Sequence, residues 1–169
     1  MMKRLVSLII VLLLTFPAAV YAAEVKECDD WRYIVHDDGT ARIVSYQGTE
    51  EYVVVPDNVD GYTVTGFSDY ISGWDYGFQL TSVVSLVLPD SFTEIDSEAP
   101  FLFSSLTNYL VDPSHPTFKT IDGVIFNKEG TELLFYPPVR EADVYRIPDG
   151  VKKIRPGAFD FTIARIGKL

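Results

Sequence analysis

The chain has 169 residues, with 14 basic against 24 acidic side chains and a formal net charge of −10. That length suits one domain, and the acidic balance argues against nucleic acid and anionic lipid, which both select basic surfaces. The single cysteine excludes an internal disulfide.

Residues 1–22 read as a cleavable export signal. Lys3 and Arg4 form a basic start, Leu5 to Phe16 is an apolar run of twelve residues, and Pro17 ends it. Ala18 to Ala22 then supplies small residues, with the cut expected after Ala22. The run is shorter than the roughly 20 apolar residues of a membrane helix, and no later segment approaches that length. The remaining chain is expected to be secreted or held at the cell surface, with no transmembrane segment. It keeps 12 basic against 24 acidic residues, and none of the basic ones lies between Ile43 and Phe118. An acidic solvated face that favours solubility is the plain reading of that bias. Residues 23–30 read as a flexible lead-in. Cys28 follows Val25-Lys26-Glu27, which is not the small apolar box of a lipidated cysteine. It reads as an isolated thiol, with an intermolecular disulfide as the alternative.

The domain proper is expected over 31–169. The chain holds 11 glycines and 10 prolines, and its many β-branched and aromatic residues favour strands and turns. Trp31 to Tyr46 predicts a hairpin turning at Asp37-Asp38-Gly39-Thr40, an N-terminal cap over the rest of the domain. Gln47 to Glu51 is a polar loop.

A phrase then recurs: Pro56-Asp57-Asn58-Val59, Pro89-Asp90-Ser91-Phe92 and Pro148-Asp149-Gly150-Val151. Each comes after an apolar β-former, Val55, Leu88 or Ile147. Ile95 or Ile154 comes six residues after the second and third prolines, and Ala99 or Ala158 ten after. In the first copy the matching residue is Val64, eight after Pro56, with Asp60-Gly61 absorbing the surplus in a turn. A fourth strand fits if Asp112 takes the proline's place, 23 residues after Pro89. Recurrence on this scale predicts a solenoid whose units bury their apolar faces against one another. Proline suits each strand end, because it donates no hydrogen bond and fixes φ.

Strand alternation sorts the residues before each turn. Val53, Val55, Leu86, Leu88, Tyr109, Val111, Tyr145 and Ile147 are expected inside. Tyr52, Val54, Ser85, Val87, Asn108, Leu110, Val144 and Arg146 are expected outside. Ile121 to Phe126, a turn over Asn127 to Gly130, and Thr131 to Pro138 predict an inserted hairpin, bounded at 121–137. Trp74, Tyr76 and Phe78 form an aromatic cluster in a stretch that departs from the repeat. Ile163, Ile166 and Leu169 continue an apolar pattern up to the last residue, which predicts a chain ending in mid-repeat.

No catalytic residue is assigned. The histidines, His36 and His115, are expected at the surface. No nucleophile–base motif is present, and Asp112 with His115 is too small a set for a metal site. Glu94, Asp96 and Glu98 are the best paired carboxylates for glycoside hydrolysis, on a face expected to be solvated. Asp57, Asp60 and Asp69 lack calcium-loop spacing. No cofactor and no metal is expected.

These residues resemble the BspA-like leucine-rich repeats of bacterial exported proteins. That unit is similar to Leu88-Pro89-Asp90-Ser91-Phe92-Thr93-Glu94-Ile95 followed by Ala99, and to Ile147-Pro148-Asp149-Gly150-Val151-Lys152-Lys153-Ile154 followed by Ala158-Phe159. The opening Asp38-Gly39-Thr40-Ala41, then Val55-Pro56 and Gly61-Tyr62-Thr63-Val64, also resembles the family, as does Asp122 to Asn127. The resemblance spans Tyr33 to Phe159, although Pro100 interrupts the second corner. It implies a mainly β leucine-rich repeat solenoid of short parallel strands with irregular convex connections. It also implies an adhesin-like, non-enzymatic role, with an extracellular protein or glycan as partner. The outward row is the candidate surface, because apolar strips rimmed by polar groups mark contacts. The Trp74, Tyr76 and Phe78 cluster is a second candidate, for glycan stacking. The alternatives are a structural spacer of a longer surface protein and a carbohydrate-active enzyme.

Overall fold

The computed structural model describes residues 24–68, 82–95, 105–140, 142–159 and 166–168. Every regular element among them is a strand. The expected export signal, the Trp74, Tyr76 and Phe78 cluster, Asp69, Asp96, Glu98, Ala99, Phe101, Ile163 and Leu169 lie outside the described residues.

The N-terminal part is a five-stranded sheet. β1 (Lys26–Cys28), β2 (Trp31–Val35) and β3 (Ala41–Tyr46) run antiparallel in turn. The turn between β2 and β3 falls where the sequence puts it. Asp38 Oδ1 accepts from the Thr40 amide and hydroxyl at 2.9 and 2.7 Å, which fixes the bend. β1 corrects the expected lead-in: Lys26 pairs with Tyr33 and Cys28 with Trp31, across a tight turn with Asp29 at φ 51°. An aspartate tolerates that left-handed conformation better than most residues. Beyond β3 the sheet continues with β6 (Tyr62–Phe67) in parallel, then β5 (Asn58–Val59). Asp60 and Gly61, at φ 49° and 88°, join β5 to β6. Two positive φ values in a two-residue loop match the right-handed twist of the flanking strands. The Asp60-Gly61 turn read from the sequence is the turn observed.

The repeat itself appears as a parallel ladder of β4 (Tyr52–Val54), β7 (Ser85–Leu88) and β8 (Asn108–Val111). Tyr52, Ser85 and Asn108 lie side by side, as do Val53, Leu86 and Tyr109, and Val54, Val87 and Leu110. Each coil hands over to the next through one carbonyl: Glu51 O accepts from the Val84 and Ser85 amides, and Val84 O from Thr107 and Asn108. The assignment of Asp112 to the proline's place is correct. The Phe92, His115 and Val151 amides donate to the carbonyls of Pro89, Asp112 and Pro148 at 2.9, 2.9 and 3.3 Å.

Alternation fills the core with six of the eight residues expected inside, while Val111 and Ile147 are half-buried at its margin. Val53, Val55, Leu86, Leu88, Phe92 and Tyr109 are buried with Phe67, Ile43 and Tyr33 of the N-terminal sheet. Each such side chain removed from water contributes about 1.5–3 kcal/mol, which holds the coils together without a disulfide.

The inserted segment is larger than expected. Instead of one hairpin it is a meander of β9 (Phe118–Ile121), β10 (Val124–Asn127) and β11 (Glu132–Phe135). Asp122 and Gly123, expected inside a strand, form a second two-residue turn at φ 50° and 73°. The chemistry is that of Asp60-Gly61, masked in the sequence by apolar neighbours on both sides. Asn127 Oδ1 accepts the Thr131 and Glu132 amides at 2.8 Å each and shapes the second turn. β11 then pairs in parallel with β13 (Lys153–Ile154). Thr131 O accepts the Lys152 and Lys153 amides just as Thr65 O accepts those of Thr93 and Glu94. The insert therefore serves as the neighbouring coil for the last one. Its second core joins Val124, Phe126, Leu133, Tyr136, Tyr145 and Ala158. β12 (Ala142–Val144) pairs in parallel with β14 (Ile166–Lys168).

Candidate binding surface

Six of the eight outward residues lie on one sheet. On β4, Tyr52 is 61% and Val54 57% exposed, while the inward Val53 between them is 5% exposed. Ser85, Val87, Asn108 and Leu110 are half-buried. They form two rows, Tyr52-Ser85-Asn108 and Val54-Val87-Leu110, with strands about 4.8 Å apart. The first row is polar beyond its tyrosine and the second is wholly apolar.

Val144 and Arg146 stand apart. Both are exposed, and Tyr145 between them is buried, so the alternation is right. Yet β12 pairs with β14 and not with β8. The Asp122–Gly123 turn takes that place beside β8: the Tyr109 amide donates to Gly123 O at 2.9 Å. A Cβ on Gly123 would sit 2.6 Å from Asn108 Oδ1 and 3.0 Å from Arg140 Nη1, and the φ of 73° there favours glycine as well. The expected row is broken after its third strand.

His115 is a correction. It was expected at the surface, and it is fully buried. Aligning Asp112 with the prolines puts His115 in the slot of Val59 and Phe92, which are 2% and 0% exposed. The Thr117 and Phe118 amides donate to its Nδ1 at 3.2 and 3.1 Å. Nε2, 3.0 Å from Pro89 O, therefore carries the proton and donates to the previous coil's turn. Burial holds its pKa below the usual value, against the Pro89 carbonyl and the pull of Asp90. Both ring nitrogens are occupied, which leaves no lone pair for a metal.

Other candidates are dispersed. His36 is exposed in the β2–β3 turn. Glu94 ion-pairs with the largely buried Arg42, locking the N-terminal sheet to the second coil. Asp60 accepts from Tyr33 Oη at 2.6 Å, a structural bond between buried ring and turn. Among the described residues no cluster of three or more His, Cys, Asp or Glu could hold a metal ion. Cys28 is half-buried, and burial, then the neighbouring Asp60, pushes its thiol pKa up, away from reactivity.

One cluster escaped sequence reasoning. Tyr136 and Tyr145 meet edge to face, ring centroids 4.8 Å apart, with the Arg140 guanidinium 6.0 Å from the Tyr136 ring. Both hydroxyls are buried, with no hydrogen-bond partner among the described residues. Burial pushes the Tyr145 phenol up to about 12. Tyr145 was recognisable as inward-facing from its place before Pro148; nothing in the sequence tells that Tyr136 meets it.

No protein-family model matches the chain, and no curated protein does. Among solved structures it is similar to a leucine-rich cell surface protein from Faecalibacterium prausnitzii, at 16% identity and TM-score 0.37, covering 82% of this chain and 68% of that one. It is similar to a leucine-rich-repeat protein from Bacteroides capillosus, at 16% identity and TM-score 0.41, over 77% of this chain and 96% of that one. A third likeness is to a leucine-rich-repeat protein from Eubacterium ventriosum, at 13% identity and TM-score 0.44, over 79% of this chain and 56% of that one.

Proposed function

We propose that the chain is an exported interaction module that binds an extracellular protein or glycan through the outward face of β4, β7 and β8. The observation that carries this reading is the exposure of Tyr52 and Val54 beside Val87 and Leu110, on a ladder whose opposite face packs into the core. A surface built this way presents apolar groups without weakening the core, and tyrosine is a frequent anchor at interfaces.

The patch is about 10 Å across its three strands. A stable complex buries roughly 800 Å² on each partner, several times more than six such residues offer. The face is an anchor, so the partner must also reach its flanks or bind several copies at once. The small area also favours a second reading, a structural spacer that binds nothing. A screen against immobilised extracellular-matrix proteins and a glycan array at physiological salt separates the two. Saturable binding supports the module; its absence with folded protein supports the spacer. Hydrolysis on the glycan panel, abolished by Glu94→Gln, would instead support a carbohydrate-active enzyme.

A further inference from the structure

The ladder has two edges, and the molecule treats them differently. On the β8 side, the Gly123 carbonyl takes the Tyr109 amide. On the β4 side no strand pairs among the described residues: β4 is terminal in its sheet, and the N-terminal sheet joins the solenoid through the Gly66–Glu94 bridge instead. The direction of each β4 backbone group is set by its bonds. Glu51 O accepts from Ser85 N, and Val55 N donates to Val87 O, both toward β7. Alternation puts the Val53 groups on that same side. The N–H and C=O of Tyr52 and Val54 therefore point away from β7, along an edge that no described strand joins. These are also the two most exposed large apolar residues described.

Exposed edges are ordinarily protected by lysine or by a bulge. β4 has neither, only brevity and Pro56 at its end. What surrounds it selects the occupant. Exposed Glu51 and Asp57 bracket the strand, and no Lys or Arg occurs from Ile43 to Phe118. A second copy of this chain fits badly. Antiparallel pairing of two β4 strands brings Glu51 of one toward Asp57 of the other, and parallel pairing aligns like with like. Like charges side by side oppose pairing.

We infer that the open edge of β4 takes an extended segment of a partner protein, with lysine or arginine on either side of a short β-prone centre, added as a further strand. The inference rests on the reading of the chain as an interaction module. It uses the backbone groups of β4, whereas the face uses the outward side chains of β4, β7 and β8. The added strand would carry the outward rows one step further, which enlarges a patch that is too small alone.

The test uses the full-length protein, uniformly ¹⁵N-labelled, and a synthetic probe, Lys-Lys-Thr-Val-Thr-Val-Thr-Lys-Lys. The expected result is saturable binding in which the Tyr52 and Val54 amides exchange at least tenfold more slowly, with affinity falling as salt rises. The same centre flanked by glutamate should bind at least tenfold more weakly. A probe N-methylated at alternate centre residues should lose binding without any change to the protein. Tyr52→Pro, which removes one edge donor at the first residue of an edge strand, should weaken the probe by a similar factor. The N-methylated probe keeps the test decisive if that variant folds poorly. Equal binding of the N-methylated or glutamate-flanked probe, or binding that leaves both amides unchanged, overturns the inference. Protection that grows with protein concentration alone overturns it in favour of a second copy. Failure of the lysine probe alongside partner binding that Val87→Glu abolishes would sink the edge and leave the face standing.

Discussion

Acid should loosen this protein before its carboxylates titrate, and His115 is the reason. Its Nδ1 accepts two backbone amides at 3.1–3.2 Å, and its Nε2–H bonds Pro89 O, all in a fully buried site. A second proton would have to sit on Nδ1, facing two N–H donors. The charged groups around it divide: Asp90 and Asp112 favour the imidazolium, and Lys128 opposes it. Desolvation outweighs them, so the folded pKa lies below the unfolded value of about 6.5. The unfolded chain thus binds the proton first as pH falls. The stability His115 contributes is complete above about pH 6.5 and is lost on the way down to its folded pKa. One proton sets the steepest slope, about 1.4 kcal/mol per pH unit. Asp38, Glu50 and Asp112, whose pKa values hydrogen bonds hold down, lose their contribution at lower pH, from the usual carboxylate range downward. The assay is urea denaturation at pH 7.5, 6.5 and 5.5, monitored by circular dichroism, for the native chain and for His115→Phe. Phenylalanine fits the slot by analogy with Phe92, and it should cost about 1–3 kcal/mol at pH 7.5 by stranding the backbone groups. The native chain should lose stability between pH 6.5 and 5.5, by no more than the one-proton limit of about 1.4 kcal/mol. The variant should not. Parallel curves for the two proteins would refute the reasoning.

Tyr145→Phe should stabilise the protein, by up to about 1–3 kcal/mol, because it removes a buried hydroxyl that has no partner among the described residues and keeps the ring contact with Tyr136; thermal melting reads this directly. Leu86→Ala, at the middle of the middle strand and fully buried, should cost about 2–5 kcal/mol in the same assay. Gly123→Ala should destabilise by at least about 1 kcal/mol, since a left-handed φ and a clash with Asn108 combine. Its amide-exchange signature should centre on Tyr109, whose partner carbonyl is displaced.

Period-two alternation and a proline at the strand end made the β4–β7–β8 ladder legible, because both are local consequences of strand geometry. Val53, Leu86 and Tyr109 could be placed inside without knowing what they touch. The pairing of β3 with β6 and of β11 with β13 could not, since nothing local records which strand a sheet edge will meet. Arg42 and Glu94 are 52 residues apart, and their ion pair shows only in three dimensions. His115 was readable in principle. Once Asp112 takes the proline's place, the fourth residue of the phrase is a core position, but a histidine there looks like loop chemistry. The Asp122-Gly123 turn was likewise in plain sight, hidden by the apolar run that surrounds it. For the binding row, the face was legible. The break beside β8 was not, because the insert that causes it arrives from later in the chain.

One comparison tests the outward face most directly: binding of the native protein, Val87→Glu and Asp149→Ala to the same immobilised matrix protein or glycan. Val87 is on the outward face, and Asp149 is an exposed turn residue away from the β4–β7–β8 sheet. With circular dichroism unchanged in all three, saturable binding should be lost in Val87→Glu and kept in Asp149→Ala. Binding that survives Val87→Glu, and also Val54→Glu and Leu110→Asp, would contradict the assignment of function to this face.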